Sequence, residues 1–229
     1  MDFATFEKTI GITFRDKGLL KQAFVHRSYI NENRSSGLSH NERLEFLGDA
    51  VLQLVITDYL FKRFSEMNEG ELTSLRAALV NADTCAIVAE KLGVNDFLLL
   101  SKGESKDSGR ARQYILANTL EAVIGAIYLD QEYETAKKFI LAHFAPLADG
   151  IIERGTWIDA KSLFQAKAQE EEGATPSYKT LSESGPDHDK KFSVGVFVNS
   201  EKYGEGEGKS KQDAEQEAAR DALKAKGWN

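Results

Sequence analysis

Apolar residues recur at intervals of three and four over roughly the first two thirds of the chain, the period of helices that bury one face. Leu19, Leu20, Phe24 and Val25 follow it inside a helix predicted from Phe14 to Tyr29. Further helices are predicted from Glu42 to about Phe64, Gly70 to Leu92, Tyr114 to Leu129 and Glu132 to Leu147. Polar, Ser-containing loops, Asn31 to His40 and Ser101 to Gly109, separate them. The helix after Glu42 carries Leu44, Phe46, Leu47, Val51, Leu52, Leu54, Val55 and Ile56, too many apolar residues for a surface helix, so it is expected to be largely buried.

The period lapses from Asp149 to Trp157, where Gly150 and Gly155 fall, and a linker is predicted at 151–157. A different pattern follows. Asp159 to Glu172 reads as a helix stopped by Gly173-Ala174-Thr175-Pro176, and Ser177 to Glu183 reads as a strand. Phe192, Val194, Val196 and Val198 alternate with period two, a strand with one buried face. Lys202 to Glu207 can pair with it. Ser210 opens a last helix, whose Ala214, Ala218, Ala219, Ala222 and Leu223 suit close packing on a sheet. The expected architecture is therefore multidomain. An all-α domain at 1–150 precedes an α+β domain of order α-β-β-β-α at 158–227.

Composition narrows the function classes. The single cysteine, Cys85, excludes an internal disulfide and fits a reducing compartment. Met1 to Ile10 lacks the apolar core of a signal peptide, and no segment approaches the roughly 20 apolar residues of a membrane span. The expectation is a cytoplasmic protein with no membrane partner. The net charge of −7 argues against a nucleic-acid binder if taken alone. What matters is whether basic groups collect on one face.

The chemistry concentrates in two helices. Glu42, Glu45 and Asp49 stand at spacings of three and four, which stacks them on one helical face. In the segment Ala117 to Tyr128, Asn118 and Glu121 share a face of a nearly all-apolar helix. Like charges in apolar surroundings repel, and a buried carboxylate without a partner is expensive. A divalent cation relieves both costs. If the helices pack together, Glu45, Asp49, Asn118 and Glu121 converge as four oxygen ligands, suited to Mg2+ or Mn2+ rather than zinc. The plainer reading makes Glu42 a surface ion pair with Arg43 or Arg76 and Asp49 a local hydrogen-bond acceptor.

Asn41 to Leu52 resembles the signature segment of the ribonuclease III family of double-stranded-RNA endonucleases. Ala117 to Tyr128 resembles that family's second acidic helix, and residues 159–226 resemble its C-terminal double-stranded-RNA-binding domain. The resemblance implies a homodimer that hydrolyses both strands of duplex RNA to 5′-phosphate and 3′-hydroxyl ends. It implies Mg2+, with Mn2+ able to substitute, and no small-molecule cofactor. Ribosomal RNA precursors and other structured transcripts are the implied substrates. By the same resemblance, Asp49 and Glu121 are catalytic, and Glu45, Asn118, Glu121 and Asp49 are metal ligands. Glu42 and Glu69 support the site, Glu69 across the dimer, and Phe46 plugs into a pocket of the partner subunit. The plainer reading of Phe46 is ordinary core. One position departs: the family usually has Asp where this chain has Asn118, which supplies an oxygen but no charge. The alternative is therefore a duplex-RNA-binding protein with weakened or lost cleavage.

In the second domain, Lys209 and Lys211 open the last helix, where the dipole disfavours cations and backbone N–H groups favour phosphate. His188, in the loop Gly185-Pro186-Asp187-His188, resembles the family's minor-groove probe. Ser162, Gln165 and Gln169 match the polar face that reads the adjacent minor groove, a recognition mainly of shape. Gln212 stands where many relatives have another lysine, and Ala166 where many have Glu. From Thr156 onward 11 Lys and Arg face 14 Asp and Glu, and the remainder has 18 against 22, so neither domain is basic overall. RNA affinity must come from a local lysine edge and should fall steeply with salt.

Overall fold

The computed structural model describes residues 2–155, 157, 159–186 and 190–228. The chain divides into two units, Met1–Trp157 and Ile158–Asn229.

In the first unit the helices are α1 (Phe3–Ile10), α2 (Lys17–Ala23), α3 (Arg27–Glu32), α4 (Glu42–Arg63), α5 (Glu69–Val80), α6 (Ala82–Lys91) and α7 (Arg110–Arg154). Helices α4 and α7 pack along one another at the centre, contributing Leu52, Val55, Ile56, Leu120, Val123 and Ile124 to the core. Two expected helices are each split. The one predicted from Phe14 to Tyr29 breaks at Phe24–His26, where Val25 bridges to Leu99 and the His26 N–H donates to the Leu99 carbonyl. The His26 side chain then caps α3. The one predicted from Gly70 to Leu92 breaks at extended Asn81, whose side-chain oxygen accepts from the Thr84 N–H at 2.8 Å. An Asn that caps a new helix outcompetes continuation of the old one.

The predicted linker is also shorter than expected, because α7 continues to Arg154 and ends at left-handed Gly155. Ala148 and Ile151 are buried, and their packing carries the helix through Gly150. Helix α4 corrects another expectation. Its inner face is buried, but Phe46, Leu54 and Phe61 on the outside are 80%, 57% and 71% exposed. Its apolar residues serve two faces, of which one is uncovered in the single chain. Among the described residues no single helix is long and apolar enough to cross a membrane.

The second unit contains α8 (Ala160–Glu172), β1 (Ser177–Ser184), β2 (Lys191–Val198), β3 (Glu201–Gly208) and α9 (Lys211–Lys226). The strands form an antiparallel sheet in the order β1-β2-β3. Val196 and Val198 pack with Phe164, Ala168, Ala218, Ala219 and Ala222. A Cβ at Gly206 would meet the Ala218 nitrogen at 2.2 Å, so the small-residue face of α9 lies directly on β3. Asn199 and Ser200, at φ 48° and 70°, make the two-residue turn between β2 and β3.

The strained residue of the first unit is Glu132, at φ 64° and ψ 175° within α7. This region of backbone space is essentially glycine's own. The two residues before it fix the chain. Asp130 accepts from the Arg15 and Asp16 N–H groups, both at 2.8 Å, and Gln131 donates to the Thr13 carbonyl at 3.1 Å. That grip on residues 13–16 forces the kink, and the sequence places Glu where Gly would rest. Glu132→Gly should raise the stability of the first unit by about 1–2 kcal/mol, the relieved strain less the added chain entropy. A denaturant midpoint that stays level or falls would show that the Glu132 side chain outweighs the strain.

Candidate active site and nucleic-acid interface

Asn41, buried at the head of α4, donates its side-chain amide to the Ala23 carbonyl at 3.0 Å, and its N–H to the Val25 carbonyl at 2.9 Å. This ties the start of the acidic helix to the α2–α3 turn. Further along, α4 meets α7 backbone to backbone. A Cβ at Gly48 would fall 1.7 Å from the Glu121 carbonyl oxygen, and one at Gly125 would fall 2.2 Å from the Leu44 carbonyl oxygen. No side chain fits at either position. Glu45 and Asp49 flank Gly48 in sequence, so this contact holds them beside Glu121.

The electrostatics record that proximity. Burial pushes the Glu121 carboxyl up to about 8, helped by the charges of Asp49 and Glu45. Burial also raises Glu45, with Glu42 and Asp49 adding to the shift. The thiol of Cys85 on α6 is raised by burial and then by Glu121 and Asp49, so it sits close to the same charges. Among the described residues, none of Glu45, Asp49 and Glu121 forms an ion pair, and Asn118 has no side-chain hydrogen-bond partner. Asp49 accepts from the Gln53 amide, at 3.0 and 3.2 Å to its two oxygens. Glu42 lies outside the group, 3.5 Å from Arg27 and 3.7 Å from His40. Those partners replace the Arg43 and Arg76 of the plainer sequence reading.

This donor set fits a hard divalent cation. It is oxygen-only, partly buried, mutually repelling and without a cationic partner. Among the described residues, no three or more His, Cys, Asp and Glu side chains stand close enough together to hold a metal ion as a group. A small hard cation that keeps several of its waters can be held by one or two carboxylates.

Glu69, the first residue of α5, is not in this group. It accepts from the Thr73 hydroxyl at 3.1 Å and lines a cavity of about 410 Å³ with Leu60, Phe61, Met67, Leu72 and Arg76. Phe46 is exposed rather than core. In the second unit, Ser162, Gln165 and Gln169 line one shallow groove of about 290 Å³ with Ala166. Lys209 is exposed at the head of α9, while Lys211 pairs with Glu183 at 2.9 Å. His188 lies outside the described residues.

Sequence reading missed the Gly48–Gly125 contact, the Gln53 tether, the partners of Glu42 and the Lys211–Glu183 pair. The first left a signal, a glycine in each of two apolar helices. The ion pair joins residues far apart in sequence and left none.

Residues 16–147 match the family described as ribonuclease-III-like, and residues 160–226 match the double-stranded RNA binding motif. The chain is 45% identical over 214 residues to Ribonuclease 3 of Pelotomaculum thermopropionicum, covering 93% of this chain and 89% of that protein. It is 46% identical over 219 residues to Ribonuclease 3 of Protochlamydia amoebophila, covering 95% and 89%. The solved nuclease domain of Campylobacter jejuni ribonuclease III superposes with a TM-score of 0.57 at 41% identity, over 63% of this chain and 95% of that one. The chain belongs to the ribonuclease III family.

Proposed function

We propose that this protein is an endoribonuclease that cuts double-stranded RNA by divalent-metal-assisted hydrolysis of phosphodiester bonds, leaving 5′-phosphate and 3′-hydroxyl ends. Its family is one of divalent-metal-dependent nucleases. The observation that carries the site reading is the unpaired acidic group gathered across the Gly48–Gly125 contact. Structured transcripts, ribosomal RNA precursors among them, are the proposed substrates, and the cytoplasm is the proposed location.

Glu45, Asp49, Asn118 and Glu121 would hold Mg2+, with Mn2+ able to substitute. When bound, such a cation supplies Lewis-acid polarisation of the scissile phosphate and an activated water. The protein's own groups prepare for it. Burial and repulsion favour a protonated Glu121 near neutral pH in the metal-free protein, and a cation held there would favour the ionised carboxylate. Gln53 steadies Asp49, which we assign with Glu121 as catalytic. Glu42, held near Arg27 and His40, supports the site from outside. No nucleophilic side chain is needed, and Cys85, buried with its thiol pushed up, remains neutral filler.

The exposed apolar stripe of α4 supports a homodimer, because a face that apolar is rarely left in water. Phe46 of one copy would enter the cavity beside Phe61 and Met67 of the other, bringing Glu69 to the neighbouring site. The polar groove of α8 and the lysines of α9 would hold the duplex.

Three outcomes test this reading. Asp49→Asn should lower cleavage of duplex RNA by at least about 100-fold while sparing binding in chelator; retained cleavage removes Asp49 from the catalytic set. Asn118→Asp should lower the Mg2+ concentration for half-maximal binding and cleavage by about 10-fold, and an unchanged metal requirement would show that the amide is no handicap. The third concerns pH. Folded, metal-free protein keeps the Glu121 proton up to about pH 8, whereas the unfolded chain loses it near 4.5. The folded state therefore binds more protons across that window, and its stability should fall as pH rises through it. Urea unfolding in chelator should show this slope, and Glu121→Gln should flatten it.

A further inference from the structure

Lys211 is the first residue of α9, and two contacts hold it. Its ammonium lies 2.9 Å from the Glu183 carboxylate. It also stands 5.6 Å from the centre of the Phe192 ring. Glu183 on β1 and Phe192 on β2 are direct cross-strand partners, so Lys211 straddles one rung of the sheet. The helix dipole disfavours a cation at this end, and Glu183 supplies the negative charge that offsets it. The carboxyl of Glu183 is held below its usual range by the bond to Lys211, with Lys190 nearby acting in the same direction.

The surroundings make this one pair count. Gln212, the next residue, is neutral, and Asp213 is acidic. Glu215 is engaged by Lys161 at 2.5 Å. The head of α9 therefore offers phosphate two lysines, Lys209 and Lys211, and one of them already has an anion. A phosphate oxygen approaching Lys211 meets a carboxylate bound to the same ammonium.

We propose that Glu183 is an internal competitor for the RNA backbone: it occupies Lys211 in the free protein, and duplex binding must displace it or share the lysine with it. The proposal rests on the reading of Lys211 as a phosphate contact. Glu183 thus sets how tightly the second unit grips any duplex, without reading sequence. It also tempers the salt response. When Lys211 transfers to phosphate, the RNA releases a counterion while the freed carboxylate takes one up, so the net release falls short of a full lysine's share.

The test is duplex-RNA binding by the full chain in chelator, where no strand is cut, across a series of salt concentrations. Four proteins are compared: the natural chain, Glu183→Gln, Lys211→Ala and the double variant. Glu183→Gln should bind about 2- to 5-fold tighter at low salt, the scale of one exposed ion pair. Its log–log salt slope should steepen by up to about one unit. Lys211→Ala should bind more weakly, and in its background Glu183→Gln should give no gain. If Lys211→Ala weakens binding but Glu183→Gln does not strengthen it, competition is refuted while the phosphate contact stands. A Glu183→Gln gain that persists without Lys211 also refutes it, because general charge removal would explain the gain. If Lys211→Ala leaves binding unchanged, the phosphate contact falls and the competition falls with it. Thermal unfolding of Glu183→Gln beside Glu183→Ala separates loss of fold from loss of the pair.

Discussion

The contact on which the first unit depends is the approach of two backbones at Gly48 and Gly125. A single methyl would lie 1.7 Å from a carbonyl oxygen at Gly48 and 2.2 Å from one at Gly125, far inside van der Waals contact. Only paired glycines let α4 and α7 close to this distance, and only that closeness brings carboxylates from separate helices into one group. The packing creates an electrostatic cost in doing so. Apolar side chains bury the pair, burial raises Glu121, and the neighbouring acids raise it further. In the metal-free chain that cost is relieved by keeping a proton, and a cation would relieve it by charge. Fold and chemistry are thus coupled at one contact. The helix–helix core, strong enough to tolerate a repelling group, is what keeps the group together.

The second unit uses the same device for another purpose. Glycines of β3 and alanines of α9 bring helix and sheet into backbone contact. The close seating leaves little freedom at the head of α9, so Lys211 reaches across a defined rung of the sheet. In both units small residues fix the separation of backbones, and charged residues nearby inherit fixed relations from it.

Much of this was legible in the sequence, for identifiable reasons. Helix and strand periods are local, so the α-β-β-β-α order and the buried faces of β2 and α9 could be read directly. The pairing of Glu45 and Asp49 with Glu121 was legible because carboxylates inside apolar helices call for partners. What escaped was either a competition or a long-range tie. Asn81 and His26 broke expected helices because their side chains cap better than they continue, and Asn81 lies in a sequence that stays helical by period. Linker residues 151–154 proved helical because Ile151 found a place in the core, which no local pattern announces. Leu54, on the outward face of α4, is expected from its pattern to be buried with the rest, since hydrophobicity marks burial without saying whether the covering surface belongs to the same chain; only the family resemblance assigns Phe46 on that face to a dimer interface.

The charge balance joins the two units into one problem. An acidic chain of net charge −7 approaches a polyanion and must place further carboxylates beside it. Long-range attraction cannot organise that encounter, because neither unit carries a basic excess and salt screens distant charges. On the proposed reading short-range features do so: the polar groove on α8, and lysines at the head of α9, of which Lys211 is paired with Glu183. A grip of this kind is weak toward any single phosphate and adds up only when several contacts along a regular duplex are met together. Selectivity for a helix of the right geometry is then expected from the absence of a net positive charge, since a surface with a large basic excess would hold any anionic polymer. The basic residues of the second unit are outnumbered by its acids, 11 Lys and Arg against 14 Asp and Glu, so on the proposed reading the match of shape carries more of the discrimination than charge does.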